Sequence, residues 1–373
     1  MTDRDADPHV SQRTDASATP PPITSLAGLL FGLAEAIALE APQFGGGVLD
    51  PLTDSGLAHH HVRLGDHGVL ARIPKQSQMQ LDAHANLDYQ AACFERAGAS
   101  GRTPRLVGVL RPRPTLPRGA LLVEHIVGRP AELPADLPQI AETLARIHAL
   151  PVPQPGSRPP LGDAPDPLAA LDDEVRAHAL HLDDAMIAAP ARAVIDRELD
   201  RLGALVARAD RPAKRLIAFD AHPGNFVVRA DGSAVLVDLE KCRYSYAPLD
   251  LAHATLYTST TWEPGATVAL STDQLVEFSR DWSAVVAPAG DEEWLAPLRR
   301  AMWLWSVTWC AKWRVLSSAS AASTPDGEDW SAANSDPAVT SHVRGRVDHY
   351  LDPAVIETIV AGFDEFDLRV ASS

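Results

Sequence analysis

Between residues 216 and 240 the chain changes its pattern. Elsewhere in the C-terminal half, apolar residues recur at helical spacing. Here three short apolar runs, Leu216-Ile217-Ala218-Phe219, Phe226-Val227-Val228 and Val235-Leu236-Val237, are broken by the turn signals Pro223-Gly224 and Asp231-Gly232. Runs this short, punctuated this way, read as strands and turns rather than helix. The turn at Asp231-Gly232 returns the chain so that Asp238 faces the same cleft as Asp220 and Asn225. Any fold for this chain must carry that small β insert within a helical unit.

The residue types in the insert fit phosphoryl transfer. That reaction needs a carboxylate to orient the attacking hydroxyl and take its proton. It also needs hard oxygen ligands for Mg²⁺ on the β- and γ-phosphates. An Asp followed five positions later by Asn supplies both functions from one tight loop, with Asp220 toward the acceptor and Asn225 toward the metal. Asp238 is the second metal ligand. Glu240 lies two residues on and is placed on the metal and substrate side.

These residues resemble the signature of the aminoglycoside phosphotransferase / choline kinase superfamily, His-Gly-Asp-x-His-x-Gly-Asn followed by Asp-x-Asp/Glu. Asp220, His222, Gly224, Asn225, Asp238 and Glu240 match it in type and spacing, and Pro248-Leu249-Asp250-Leu251-Ala252 resembles the family's Asp-Leu-Ala element. The chain departs from the signature at Ala218 and Phe219, where the family has His and Gly. In this fold class that His supports the loop, so its loss leaves a catalytically weak or inactive nucleotide-binding pseudokinase as the alternative to an active enzyme. A metallohydrolase built on Asp220, His222 and Asp238 would have too thin a ligand set.

The resemblance implies an α+β, bilobal protein-kinase-like fold, with a small β-rich N-lobe and a larger helical C-lobe. Residues 1–22 read as a disordered tail, 23–127 as the nucleotide-binding lobe and 128–373 as the catalytic and substrate-binding lobe. Strands are expected at Val62–Leu64 and Val69–Ile73 around the turn Gly65–Gly68, and again at Leu106–Leu110 and Leu121–Ile126. A helix is expected over about 79–97. By resemblance, Arg72 is the strand cation for the α/β-phosphates of ATP, with Lys75 as runner-up. Asp88 is its partner acid on the following helix, with Glu95 kept open, and the turn at Gly56 covers the phosphates. The backbone at Glu124 to Ile126 receives adenine. The run His59-His60-His61 alternates faces on a strand and does not read as one metal site.

For the acceptor, Trp305, Trp309 and Trp313 recur every four residues and share a helix face, with Trp303 off that stripe. The readings are core packing or an aromatic wall, the latter with Trp305 and Trp309 contacting substrate. The net charge of −16 argues against nucleic acid as a partner and is compatible with a cationic hydroxyl acceptor, such as an amino sugar or choline-like alcohol. Three scattered cysteines give no disulfide or metal framework, and no apolar run has membrane-spanning length. The expectation is therefore a cytoplasmic, ATP- and Mg²⁺-dependent small-molecule kinase. The segment from Ser317 to Asp336 reads as a small-polar insertion.

Overall fold

The computed structural model describes residues 25–53, 58–286, 291–318 and 336–370. The tail expected at 1–22, the turn at Gly56 and most of the 317–336 insertion lie outside them. Helix α1 (Leu26–Glu40) starts at Ser25, whose hydroxyl accepts the Gly28 amide, and packs Leu33, Ala36 and Ile37 on the first sheet. That sheet is antiparallel, in the order β1-β2-β3-β5-β4, from β1 (Leu49–Pro51), β2 (His59–Leu64), β3 (Val69–Pro74), β4 (Leu106–Leu110) and β5 (Ala120–Glu124). The β2–β3 turn is the expected one, with Gly65 and Gly68 both at positive φ. Helix α2 (Ala83–Gly98) is capped by Asp82 and begins at Ala83, four residues later than the sequence reading placed it.

After β5 the chain crosses through β6 (Arg129–Pro130) into α3 (Leu137–His148), α4 (Pro167–Ala179) and α5 (Ala189–Val206). The insert then follows. Strand β7 (Lys214–Ile217) pairs with β10 (Arg243–Tyr246), while β8 (Phe226–Val228) lies between β6 and β9 (Ala234–Leu236). The rest is helical: α6 (Ala247–Thr255), α7 (Tyr257–Thr260), α8 (Thr272–Ser283), α9 (Leu295–Ser318), α10 (Pro337–Tyr350) and α11 (Pro353–Val370). This is the expected α+β arrangement, a β-rich N-terminal region followed by a helical one.

Three apolar clusters hold it together. One joins α1 to the first sheet. A second runs through α2, α3, the insert and α8, so the first sheet's helix and the loop carrying Asp220 share one core. The third collects α4, α5, α9, α10 and α11. The insert is thus clamped between two cores, which fixes its loop against the cleft. Among the described residues no helix is long and apolar enough to cross a membrane.

Candidate active site

A cleft of about 540 Å³ opens where the first sheet meets the insert, and Arg72, Asp220, Asn225, Asp238, Glu240, Trp305 and Trp309 all line it. The insert's own hydrogen bonds set its floor. Pro223–Asn225 forms a single 3₁₀ turn. The Asn225 Nδ2 donates to the Asp220 carbonyl at 2.8 Å, and the Val237 amide donates to the Asn225 carbonyl at 2.9 Å. That last bond carries the β8–β9 hairpin back and delivers Asp238 beside the loop. Gly224 leaves room for the Glu263 carboxylate, since a Cβ there would sit 2.2 Å from Glu263 Oε1.

The two family departures fall at the loop's anchor. Asp250, fully buried on α6, accepts the Ala218 amide at 2.7 Å and the Phe219 amide at 2.8 Å. His148 Nε2 lies 3.0 Å from Asp250 Oδ2, and Trp282 Nε1 donates to His148 Nδ1 at 2.9 Å. The loop's backbone at both departures is therefore held by the Asp-Leu-Ala element, with an imidazole from α3 behind it. Phe219 has φ +59°, the left-handed region that glycine adopts without cost. Its ring is 2 % exposed, edge-on to Trp305 at 5.3 Å, and carries the Arg243 guanidinium 3.7 Å above its centre.

Arg72 reaches from β3 across the cleft. It donates to the Val237 carbonyl at 2.9 Å and to Asp238 Oδ1 at 2.8 Å, with Phe94 beneath it. Burial alone would raise the Asp238 pKa. The Arg72 guanidinium, aided by His59, reverses this and holds the carboxyl well below its usual range. Glu240 goes the other way: burial, and then the nearby Asp238 charge, push it up to about 8. Ligand atoms of His59, Asp238 and Glu240 lie within 4.8 Å of one another. His59 itself is pushed down to about 3 by burial and by Arg72, so it is neutral. His59 and His61 share the cleft face of β2, as strand alternation requires.

Asp220 makes an ion pair that the sequence reading missed, with Lys241 Nζ 2.8 Å from its Oδ2. Burial would raise the Asp220 pKa, but Lys241, with His222 and His253, keeps it below its ordinary value. The Lys241 pKa is correspondingly raised: burial opposes the shift and Asp220 drives it. His253 Nδ1 stands 3.8 Å from Asp220 Oδ1 and, pushed down to about 4 mainly by burial, is neutral. Lys241 follows Glu240 directly, but it lies beyond the end of β9, where strand alternation no longer indicates side-chain direction.

Asp88 requires a correction. It does not meet Arg72; its carboxylate is exposed and pairs with Arg111. On α2, Leu87, Tyr89 and Gln90 are buried and Asp88 falls on the outward face. From α2 it is Phe94 that lies against Arg72, while Gln90 Oε1 lies 3.0 Å from His59 Nε2. Gly56 lies outside the described residues. At the connector, Glu124 N–H and His125 N–H are bound to the Arg105 and Gly68 carbonyls, and the Glu124 side chain pairs with Arg105 and Arg229. Ile126 follows in the same segment. Trp305 and Trp309 do line the cleft, joined by Trp262, which stands edge-on to Trp309 and stacks on Tyr350. Trp303 packs instead against Phe363, off the cleft.

Three comparisons bear on this site. The chain matches the phosphotransferase enzyme family, APH, over residues 55–286. No curated protein shows a significant match to it. Among solved structures it resembles a choline/ethanolamine kinase family protein from Mesorhizobium loti, at 17 % identity, TM-score 0.55, with 90 % of this chain and 99 % of that one covered. It also resembles the GDP complex of aminoglycoside 2'-phosphotransferase-IIIa, at 14 % identity, TM-score 0.56, with 87 % and 98 % covered. A spectinomycin phosphotransferase in complex with ADP and spectinomycin gives 12 % identity, TM-score 0.58, with 88 % and 97 % covered. These likenesses establish the fold. With the matched segment spanning most of the chain and containing every residue of the Asp220, Asn225 and Asp238 cluster, the chain belongs to the phosphotransferase enzyme family.

Proposed function

We propose that the protein is an ATP-dependent kinase that phosphorylates a hydroxyl of a small molecule, with Asp220 as the base. The observation that carries this is the Asp220 carboxylate at the floor of the cleft, ion-paired with Lys241. One oxygen, Oδ2, is held by Lys241, and Oδ1 remains for the acceptor. The acceptor hydroxyl donates to Oδ1, which aims the oxygen at the γ-phosphorus. As the new P–O bond forms, the hydroxyl proton passes to Asp220, the bond to the β–γ bridging oxygen breaks, and ADP leaves. The nucleotides bound in two of the solved neighbours, GDP in one and ADP in the other, support a nucleotide as the donor.

The donor set fits a hard divalent cation such as Mg²⁺. Asp238 and Glu240 offer carboxylate oxygens, and Asn225 has its amide nitrogen engaged, which leaves its Oδ1 to ligate. The raised Glu240 pKa is that of a buried carboxyl beside the Asp238 and Asp220 carboxylates, which Lys241 and Arg72 offset only in part. When bound there, Mg²⁺ would offset the negative charge of the β- and γ-phosphates. Arg72 is placed to give its guanidinium to the phosphates. The connector presents Glu124 to Ile126 to adenine, with the Ile126 amide as candidate donor because the two preceding amides are engaged.

The test is nucleotide consumption with Mg²⁺ and ATP across a panel of hydroxyl acceptors. Turnover that one acceptor stimulates and Asp220→Asn lacks supports the reading. Undiminished transfer in Asp220→Asn removes Asp220 from the role.

A further inference from the structure

A second pocket of about 300 Å³ adjoins the cleft and shares Lys241, Trp305 and Trp309 with it. It lies between α4, α9 and the segment from Gln78 to Gln80. Its charge runs against that of the molecule. Three cations, Lys241, Arg243 and Lys312, line it with one carboxylate, Glu174, in a chain of net charge −16. Lysine is rare here, with four in the whole sequence (Lys75, Lys214, Lys241 and Lys312), and two of the four face this one pocket.

The pocket is built rather than incidental. Arg243 lies flat on the Phe219 ring at 3.7 Å and is steadied by Glu174 Oε2 and the Lys241 carbonyl, each at 3.3 Å. The bulky residue at the left-handed position of the catalytic loop thus serves as the bed for this guanidinium. Opposite, His178 is 6 % exposed, lines the pocket, and has an Nδ1 that meets no hydrogen-bond partner among the described residues. On the rim, Gln80 holds φ +55°, a strained conformation of the kind that collects at ligand sites.

Resting on the kinase reading above, we infer that this side pocket receives an acid group, carboxylate or phosphate, of the acceptor itself. The hydroxyl to be phosphorylated then reaches Asp220 past the Lys241 ammonium. The acceptor is accordingly a hydroxylated acid, and not the cationic amine that the chain's overall acidity first favoured. A cationic acceptor would set its charge against Lys241 and Arg243, whereas an anion gains charge-assisted hydrogen bonds there.

Matched pairs differing only in the acid group test this: glycerol against glycerate, glucose against glucuronate, inositol against an inositol monophosphate, with choline and an amino sugar as cationic members. Nucleotide consumption gives kcat/KM for each. The acid member of at least one pair is expected to exceed its neutral partner about tenfold or more. Lys312→Ala should abolish that preference, and Lys312→Arg should retain it. Preference for neutral or cationic members, or an acid preference untouched by Lys312→Ala, overturns the assignment. Calorimetric binding of the same acids to the nucleotide-free protein separates the two readings. Acid binding weakened by Lys312→Ala, without turnover of any acceptor, would refute the kinase reading and leave the pocket standing. Neither binding nor turnover favouring any acid removes the pocket. Inorganic phosphate distinguishes the source: competition with the acid acceptor supports the proposal, and activation of a neutral acceptor's turnover overturns it in favour of a separate effector anion.

Discussion

Phe219 occupies a backbone conformation that penalises every residue with a Cβ, and it does so with a fully packed ring. The two effects separate on substitution. Phe219→Ala keeps the left-handed penalty and empties the space between Trp305 and Arg243, which costs about 3–5 kcal/mol for a buried phenyl ring. Phe219→Gly empties the same space but removes the left-handed penalty, worth roughly 1–2 kcal/mol. Against that stands the larger unfolded-state entropy of glycine, about 0.4–1 kcal/mol. The difference leaves Phe219→Gly more stable than Phe219→Ala by about 0.8 kcal/mol, within a span of roughly 0–1.6, the reverse of the order in ordinary helix or strand positions. Urea denaturation of the three proteins, with equal m-values, measures it. A glycine variant less stable than the alanine variant would refute the claim that position 219 is held left-handed by the loop.

Asp250→Ala strips the acceptor from two buried amides and from His148, and should cost about 3–5 kcal/mol in chemical denaturation. Arg72→Met should weaken nucleotide binding at least tenfold by calorimetry, because a cation facing the phosphate side is lost; Asp88→Ala, which removes an exposed pair with Arg111, should leave binding unchanged and stability within about 0.5 kcal/mol. His178 titrates near pH 4 in the folded chain, lowered by burial, with Glu174 opposing and Lys312 reinforcing the shift. The unfolded chain therefore takes up the proton first, and the stability present above about pH 6.5 is lost as pH falls toward 4. The stability difference between wild type and His178→Gln, followed by urea titration of the metal-free proteins, should shift against wild type by about 2 kcal/mol between pH 8 and pH 5.

The sequence carried the elements whose signals are local. Strand alternation with Gly65 to Gly68 between the runs placed β2 and β3, and the turns at Pro223-Gly224 and Asp231-Gly232 placed the insert. The cluster of Asp220, Asn225 and Asp238 was legible because one hairpin joins all three. Asp88 was misplaced because it was assigned by resemblance of the stretch Leu87–Ala91 alone, whereas the phase of burial around Leu87, Tyr89 and Gln90 turns it outward. Lys241 was missed because its direction depends on the turn after β9. The side pocket could not be read at all, since it is assembled from segments near 78–80, 174–178, 241–243 and 305–312 that only tertiary packing brings together. The loop's anchor was likewise hidden: its backbone is held by Asp250 with His148 behind it, two residues distant in sequence from the loop and from each other.

In the proposed reaction Asp220 takes the proton of an acceptor hydroxyl during phosphoryl transfer. Single-turnover transfer from ATP to the best acceptor, compared between wild type and Asp220→Asn at saturating ATP and Mg²⁺, tests it most directly. The predicted result is nucleotide binding close to that of wild type and a transfer rate lower by about 10²–10⁴-fold, the range a positioned general base contributes. Transfer at the wild-type rate in Asp220→Asn would contradict it.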